Sequence, residues 1–396
     1  MQREKIIVVS TVLVDVIGFG IVVPILPFYV TSFGASPLTV TLLFSTFAFF
    51  AFLSAPFLGA LSDKIGRRPV LLVSIASTAI GWFVFASAHS LFFLFLGRII
   101  DGSAAGNLTV AQSCLVDVAR DEKERASNLG IIGAAFGIGF LIGPAIGGFL
   151  STISHAFPFW VAGGLSSANA VLAYLLLPET NTKRNREAVI SFNPLRPLAR
   201  AALNVTLRPL FLRWVLFSVA FMSTQSVFAL YVHHAFGFES FTTGLFFALS
   251  GLFMAINQAF LLKRVWLKYF DERRLEVIMW WSFLAGFVFM GSHYLPLFVV
   301  GVPLAGVSQG LLRVAITSQT AGRADPRMKG EVIGIASSLM SASLIVAPVI
   351  AGLLFEWNDV LPYGFAALVS GVSLWLIYRP SLRGQPPARA PQDAHP

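Results

Sequence analysis

Apolar residues in this chain come in long, nearly unbroken blocks, with polar residues confined to short segments between them. The blocks run over 6–31, 38–61, 69–88, 91–117, 127–151, 156–178, 209–236, 240–263, 275–293, 296–321, 331–355 and 360–378. About 20 apolar residues at ~1.5 Å each cross the roughly 30 Å of a bilayer's hydrocarbon. The pattern therefore predicts twelve membrane-spanning helices. The polar segments alternate in character. Those near 32–37, 89–90, 152–155, 237–239, 294–295 and 356–359 hold no Lys or Arg, whereas the segments at the other ends of the spans hold nearly all of them. Cytoplasmic loops are the ones enriched in Lys and Arg, so both termini are expected in the cytoplasm. The opening MQREK followed by IIVVSTVLV has no small-residue cleavage site, and Asp15 interrupts its apolar run. It reads as a retained first helix and not as a signal peptide.

Composition agrees: 56% of residues are hydrophobic and 12% charged, against about 25% charged in soluble domains. The net charge of +9 is explained by topology and needs no nucleic acid. A lone cysteine, Cys114, excludes an intrachain disulfide, and the six histidines form no metal-binding spacing. No nucleophile–base pair or phosphate loop stands out, so neither an enzyme nor a bound metal or cofactor is expected. The longest polar stretch divides the chain into an N-terminal bundle (1–178), a basic cytoplasmic linker (179–208), a C-terminal bundle (209–379) and a proline-rich tail (380–396). The linker suits anionic headgroups; the tail's composition is that of a disordered segment.

The fifth block, GIIGAAFGIGFLIGPAIGGFL, contains Gly130, Gly133, Gly137, Gly139, Gly143, Gly147 and Gly148, with Pro144 among them. In a soluble helix each glycine costs about 1 kcal/mol and a proline about 3 kcal/mol. In a membrane, small residues instead let helices approach closely. A shift of 204 residues places Pro144 on Pro348, Gly148 on Gly352 and Gly130 on Gly334, so the halves repeat. The loop after the second block reads Gly59-Ala-Leu-Ser-Asp63-Lys-Ile-Gly66-Arg67-Arg68. The first block carries Asp15, Pro24 and Pro27; the fourth carries Arg98, Asp101, Gly102, Gly106, Asn107 and Gln112.

Together these motifs resemble the drug:proton antiporters of the major facilitator superfamily, and most closely their tetracycline-efflux-like branch. The resemblance implies an all-α membrane protein of two pseudo-symmetric six-helix bundles, probed by protons and cargo from alternate sides. It implies a monomer in a bacterial inner membrane, driven by a proton gradient. It also implies an antiporter packing motif at Gly139, Gly143, Pro144, Gly147 and Gly148. A conformational latch would be formed by Gly59, Asp63, Gly66, Arg67 and Arg68 with Asp117 at the end of the fourth span. Two departures stand out. Asp101 replaces a neutral polar residue, and the third and ninth spans (71–88 and 277–293) lack the carboxylates of tetracycline exporters, which argues against tetracycline as cargo.

Four ionisable residues are expected deep in the spans: Asp15, Arg98, Asp101 and Arg313. Each costs about 3 kcal/mol or more at mid-bilayer and needs a partner or a wet cavity. Arg98 and Asp101, three apart on one helix, can pair. Asp15 has no cation nearby in sequence and is the better proton carrier, with Asp101 and Arg98 completing a relay. Arg313 would meet an anionic group of the cargo or an acid across the halves. Asn107, Gln112, Gln225, Asn257, Gln258 and Gln309 could hydrogen-bond cargo, while His233 and His234 would line the exit. The leading expectation is a proton-coupled exporter of amphipathic small molecules. The alternatives are an organic-anion or lipid exporter using Arg98 and Arg313, and a non-transporting sensor on a transporter fold.

Overall fold

The computed structural model describes residues 3–181, 196–204, 207–324 and 329–379. The tail 380–396 and the linker residues 182–195 lie outside these. Every predicted span is helical, and among the described residues eleven helices are long and apolar enough to cross a membrane. The exception is the ninth. Its helix, Glu272–Met290, starts earlier than the apolar block and takes in Arg273 and Arg274, with Glu276 in its second turn. The reading of a ninth span without a carboxylate is thereby corrected: Glu276 lies inside the helix and is fully buried. A short helix, Arg196–Leu203, precedes the seventh span, Arg208–Phe236.

Two spans are broken, and local chemistry explains both breaks. The first consists of Arg3–Val22 and Leu26–Thr31. Pro24 falls in the gap, and Pro27 occupies the first turn of the second piece, where its missing N–H costs nothing. The fourth consists of Leu91–Ser103 and Asn107–Asp117. Hydrocarbon supplies no water for carbonyls near a break, so neighbouring side chains must serve them. Ser77 Oγ donates to the Ile100 carbonyl at 2.6 Å, and Ser54 Oγ donates to that of Gly102 at 2.8 Å. The eighth span begins as Ser240–Ile256 and continues as a wider π-helix, Asn257–Trp266, across which Trp266 Nε1 donates to Asn257 Oδ1 at 2.7 Å.

The helices form two six-helix bundles. In the first, the opening span packs on the fifth (Glu122–Ser151) and sixth (Phe157–Leu176). The third (Arg67–Ala86) packs on the fourth and sixth. In the second bundle, the seventh packs on the eleventh (Lys329–Trp357) and twelfth (Leu361–Tyr378). The ninth there packs on the tenth (Leu295–Arg323) and twelfth. The repeat is visible in detail: a Cβ on Gly97 would stand 2.8 Å from the Gly81 carbonyl, and one on Gly301 2.8 Å from the Gly286 carbonyl. Apolar side chains fill each half, around Trp280, Phe283, Tyr231 and Phe298 in the second.

The bundles meet through the fifth and eighth spans and through the second (Pro37–Ile65) and eleventh. Fifth and eighth touch backbone to backbone. A Cβ on Gly148 would lie 3.1 Å from the Phe241 carbonyl, and one on Gly251 2.8 Å from that of Phe140. Ser151 and Ser240 share a hydrogen bond of 2.8 Å between their hydroxyls. On the other seam, Gly352 abuts Leu38 and Thr41, and the Leu38 N–H donates to Glu356 at 3.4 Å. All of these contacts lie toward the end of the molecule remote from the termini. Nearer the termini, Cβ atoms on Gly130, Gly133, Gly137 and Gly334 would meet open space.

Candidate functional site

The break in the first span, and that in the fourth, bring the central polar groups together. Asp15 Oδ1 is enclosed and has no hydrogen-bond partner. It faces Asn107, at the start of the second piece of the fourth span, and Asp101 is close enough to act on it electrostatically. Asn107 donates to Thr78 Oγ1 at 3.3 Å, which leaves its own Oδ1 buried and unpartnered. Asp101 and Arg98 are both buried, with Arg98 Nη1 3.8 Å from Asp101 Oδ2. The guanidinium is held chiefly by aromatic rings: it stands 4.2 Å from the Trp82 centroid and 4.9 Å from that of Phe85. Such stacking is worth about 2 kcal/mol when desolvated. Nε and Nη2 of Arg98 make no hydrogen bond. The site is therefore an acid with an open oxygen beside a boxed arginine–carboxylate pair.

At the terminal end, the signature loop closes on Arg67. Its guanidinium reaches Asp63 at 2.5 Å, Asp117 at 3.0 Å and Ser62 Oγ at 2.7 Å. Gly66, at φ 116°, makes a turn between the second and third helices that a side chain would strain. Gly59 faces the fourth span, where a Cβ would make an ordinary contact with Thr109 at 3.6 Å. Arg68 turns instead to the sixth span and donates to the Tyr174 carbonyl at 2.6 Å.

The polar residues expected to meet cargo are scattered. Gln112 is exposed, Gln225, Gln258 and Gln309 are half-buried, and Asn257 is buried and engaged with Trp266. Gln258 lies against the tenth span, its Nε2 3.3 Å from a Cβ built on Gly310. Arg313 lies well inside the tenth span, Leu295–Arg323, with an accessible side chain, and among the described residues no acid pairs with it.

Two charged groups were absent from the sequence reading. Arg213 and Glu276 form a buried ion pair at 2.7 Å, and Gln319 and Trp280 donate to the same carboxylate at 2.7 and 3.3 Å. At the far end, Asp359, only 6% exposed, takes hydrogen bonds or ion pairs from His234 at 2.7 Å and His293 at 3.0 Å. His234 is thus more than an exit lining. Both groups join residues from separate spans, and a charge near a block's edge was the one available signal.

The family model for the Major Facilitator Superfamily matches residues 8–275, most of the chain. The chain belongs to this superfamily. Superfamily members are non-enzymatic membrane carriers, so the chain is a transporter. The curated relatives include the class C tetracycline resistance protein of Escherichia coli, 28% identical over 386 residues, covering 96% of this chain and 97% of that one. The quinolone resistance protein NorA of Staphylococcus aureus is 27% identical over 387 residues, covering 95% and 97%. Among solved structures, the human organic anion transporter MFSD10 (TETRAN) superposes with a TM-score of 0.72 at 23% identity, covering 95% of this chain and 99% of that one. The nucleoside transporter NupG gives 0.77 at 14% identity, covering 96% and 98%. As a superfamily member the chain has the expected two-bundle fold, and its curated relatives are efflux proteins.

Proposed function

We propose that this transporter is a proton-coupled exporter of amphipathic small molecules working by alternating access. One observation carries the reading: Asp15 is a mid-membrane carboxyl with an enclosed, unpartnered oxygen, beside a second acid that already has its cation. An intramembrane acid so placed has a proton as its natural occupant. The names of the tetracycline and quinolone resistance relatives support export of drug-like cargo. Lys and Arg at the terminal end support a cytoplasmic location for both termini. With the far-end seams closed, the described arrangement is then inward-facing.

A second reading, export of organic anions, is favoured by Arg313, which no acid pairs among the described residues, and by the two idle nitrogens of Arg98. Reconstituted protein, offered a panel of labelled cationic, neutral and anionic amphiphiles, decides between them. Accumulation is expected only under an imposed pH gradient. Uphill movement indifferent to that gradient would remove proton coupling, and a preference for the anionic members would favour the second reading.

The loop around Arg67 acts in this scheme as a latch. A hydrogen bond to a charged group contributes about 1.5–3 kcal/mol, so Arg67→Ala should shift the balance of states roughly tenfold or more. Transport should fall while insertion and expression hold. Asp63→Asn, at the more exposed partner, should have the smaller effect. Wild-type rates in both variants at equal expression would sink the latch.

A further inference from the structure

The third span begins without a cap of its own. Its N-cap residue is Gly66, which offers no side chain, and no side-chain cap bond forms there. Helix N-termini leave several N–H groups without partners, and a carboxylate is the group they favour most. That carboxylate comes from more than a hundred residues away. Glu179 Oε1 accepts from the Arg67 N–H at 2.8 Å and Oε2 from the Arg68 N–H at 3.3 Å. Asn181, two residues on, donates through its side-chain amide to the Asp63 carbonyl at 3.1 Å, and its own N–H bonds Glu179 Oε1 at 2.9 Å. Glu179 and Asn181 open the segment that joins the two bundles.

We infer that Glu179 is a positioning residue of the latch, fastening the start of the inter-bundle tether onto the backbone of Arg67 and Arg68. The inference rests on the latch reading. Glu179 touches neither cargo nor the central acids. It fixes the direction in which the Arg67 guanidinium leaves the helix, and so its simultaneous reach to Asp63 and Asp117. A rearrangement of the loop must release the tether, and tension on the tether must reach the loop. Two events that could be independent, the movement of the bundles and the opening of the charge cluster, become one.

The chain contains its own reporter. Cys114 is its lone cysteine, fully buried, beside Thr180 and near Asp117, Arg67 and Glu179. Alkylation of Cys114 by N-ethylmaleimide, followed by mass spectrometry on reconstituted full-length protein, measures how often this region opens. Glu179→Ala should speed the reaction about fivefold, as expected for losing one helix cap. Glu179→Gln keeps an acceptor oxygen and should fall between Glu179→Ala and wild type. Imposing a pH gradient should change the wild-type rate, and that response should narrow in Glu179→Gln. Asp63→Asn serves as the reference for a disturbed latch. If Asp63→Asn reacts faster while both Glu179 variants match wild type, Glu179 lies outside the latch and the inference is overturned, with the latch intact. If Glu179→Ala reacts like denatured chain while Glu179→Gln keeps the full wild-type response, its role is merely structural, and the inference also falls. If Asp63→Asn leaves the rate unchanged, the latch reading fails first.

Discussion

Asp15→Asn should abolish accumulation driven by a pH gradient while leaving exchange of cargo down its own gradient largely intact. The amide has the shape of the protonated acid and cannot release a proton, so one half of the cycle is frozen and the other spared. The surroundings make this substitution mild for folding: among the described residues Asp15 has no cation to strand, its Oδ1 has no bond to lose, and the neighbouring Asn107 amide can serve an amide as well as an acid. Asp101→Asn is expected to behave differently. It removes the acid 3.8 Å from Arg98 and leaves a buried guanidinium with only rings around it. Breaking one partner of a buried pair costs about 3–5 kcal/mol, so general loss of folded protein should replace selective uncoupling. Proton flux followed with a pH dye beside labelled-cargo exchange, in liposomes, separates the two outcomes. Full proton-driven accumulation by Asp15→Asn would end the proposal and move attention to Asp101.

The second large effect concerns alanine, the smallest possible intrusion into the glycines of the fifth span. A Cβ on Gly147 runs into the carbonyl oxygen of Ile21, and one on Gly143 lies 2.8 Å from Gly20 Cα and the Ile17 carbonyl. These are backbone atoms and cannot rotate away, so first and fifth spans must separate. Overpacking of this kind costs about 1–3 kcal/mol, and Gly147→Ala should lower the melting temperature in detergent clearly. Gly137→Ala, where a Cβ meets nothing, should melt no lower than wild type, since alanine favours helix by about 1 kcal/mol. Gly244→Ala acts across the bundles, its Cβ 2.5 Å from the Pro144 carbonyl. It should leave stability nearly untouched and disfavour the far-end-closed state, read as faster labelling of the far-end seam. Equal melting of Gly147→Ala and Gly137→Ala would contradict the packing described here.

How much of this was legible in the chain follows from what kind of information each feature needs. Spans are local: an apolar run either is or is not long enough, and Pro24 and Gly106 mark the two breaks within their own segments. The ninth span was misjudged at its start because Arg273, Arg274 and Glu276 dilute the apolar run, although the fold buries Glu276 completely. Its partner Arg213 is 63 residues away, and no local pattern joins them. The glycines were legible as a stripe but not as two stripes. Gly139, Gly143 and Gly147 recur every fourth residue and meet the first span, while Gly148, one step around the helix, meets the eighth. Likewise Arg98 and Asp101 could be paired by spacing, but the rings of Trp82 and Phe85 that hold the guanidinium come from another helix.

The cross-bundle seam at the far end is built from bare backbone, with Gly148 against Phe241 and Gly244, and Gly251 against Phe140. Interlocked side chains behave like gear teeth: to slide, each must leave its rotamer and find another. Two strips of backbone have no teeth. Parting these two strips unseats few rotamers, so along this seam the resistance to opening is concentrated in a small fastener, the Ser151–Ser240 hydroxyl pair. The fifth–eighth seam is in mechanical terms a smooth bearing held by a small clip.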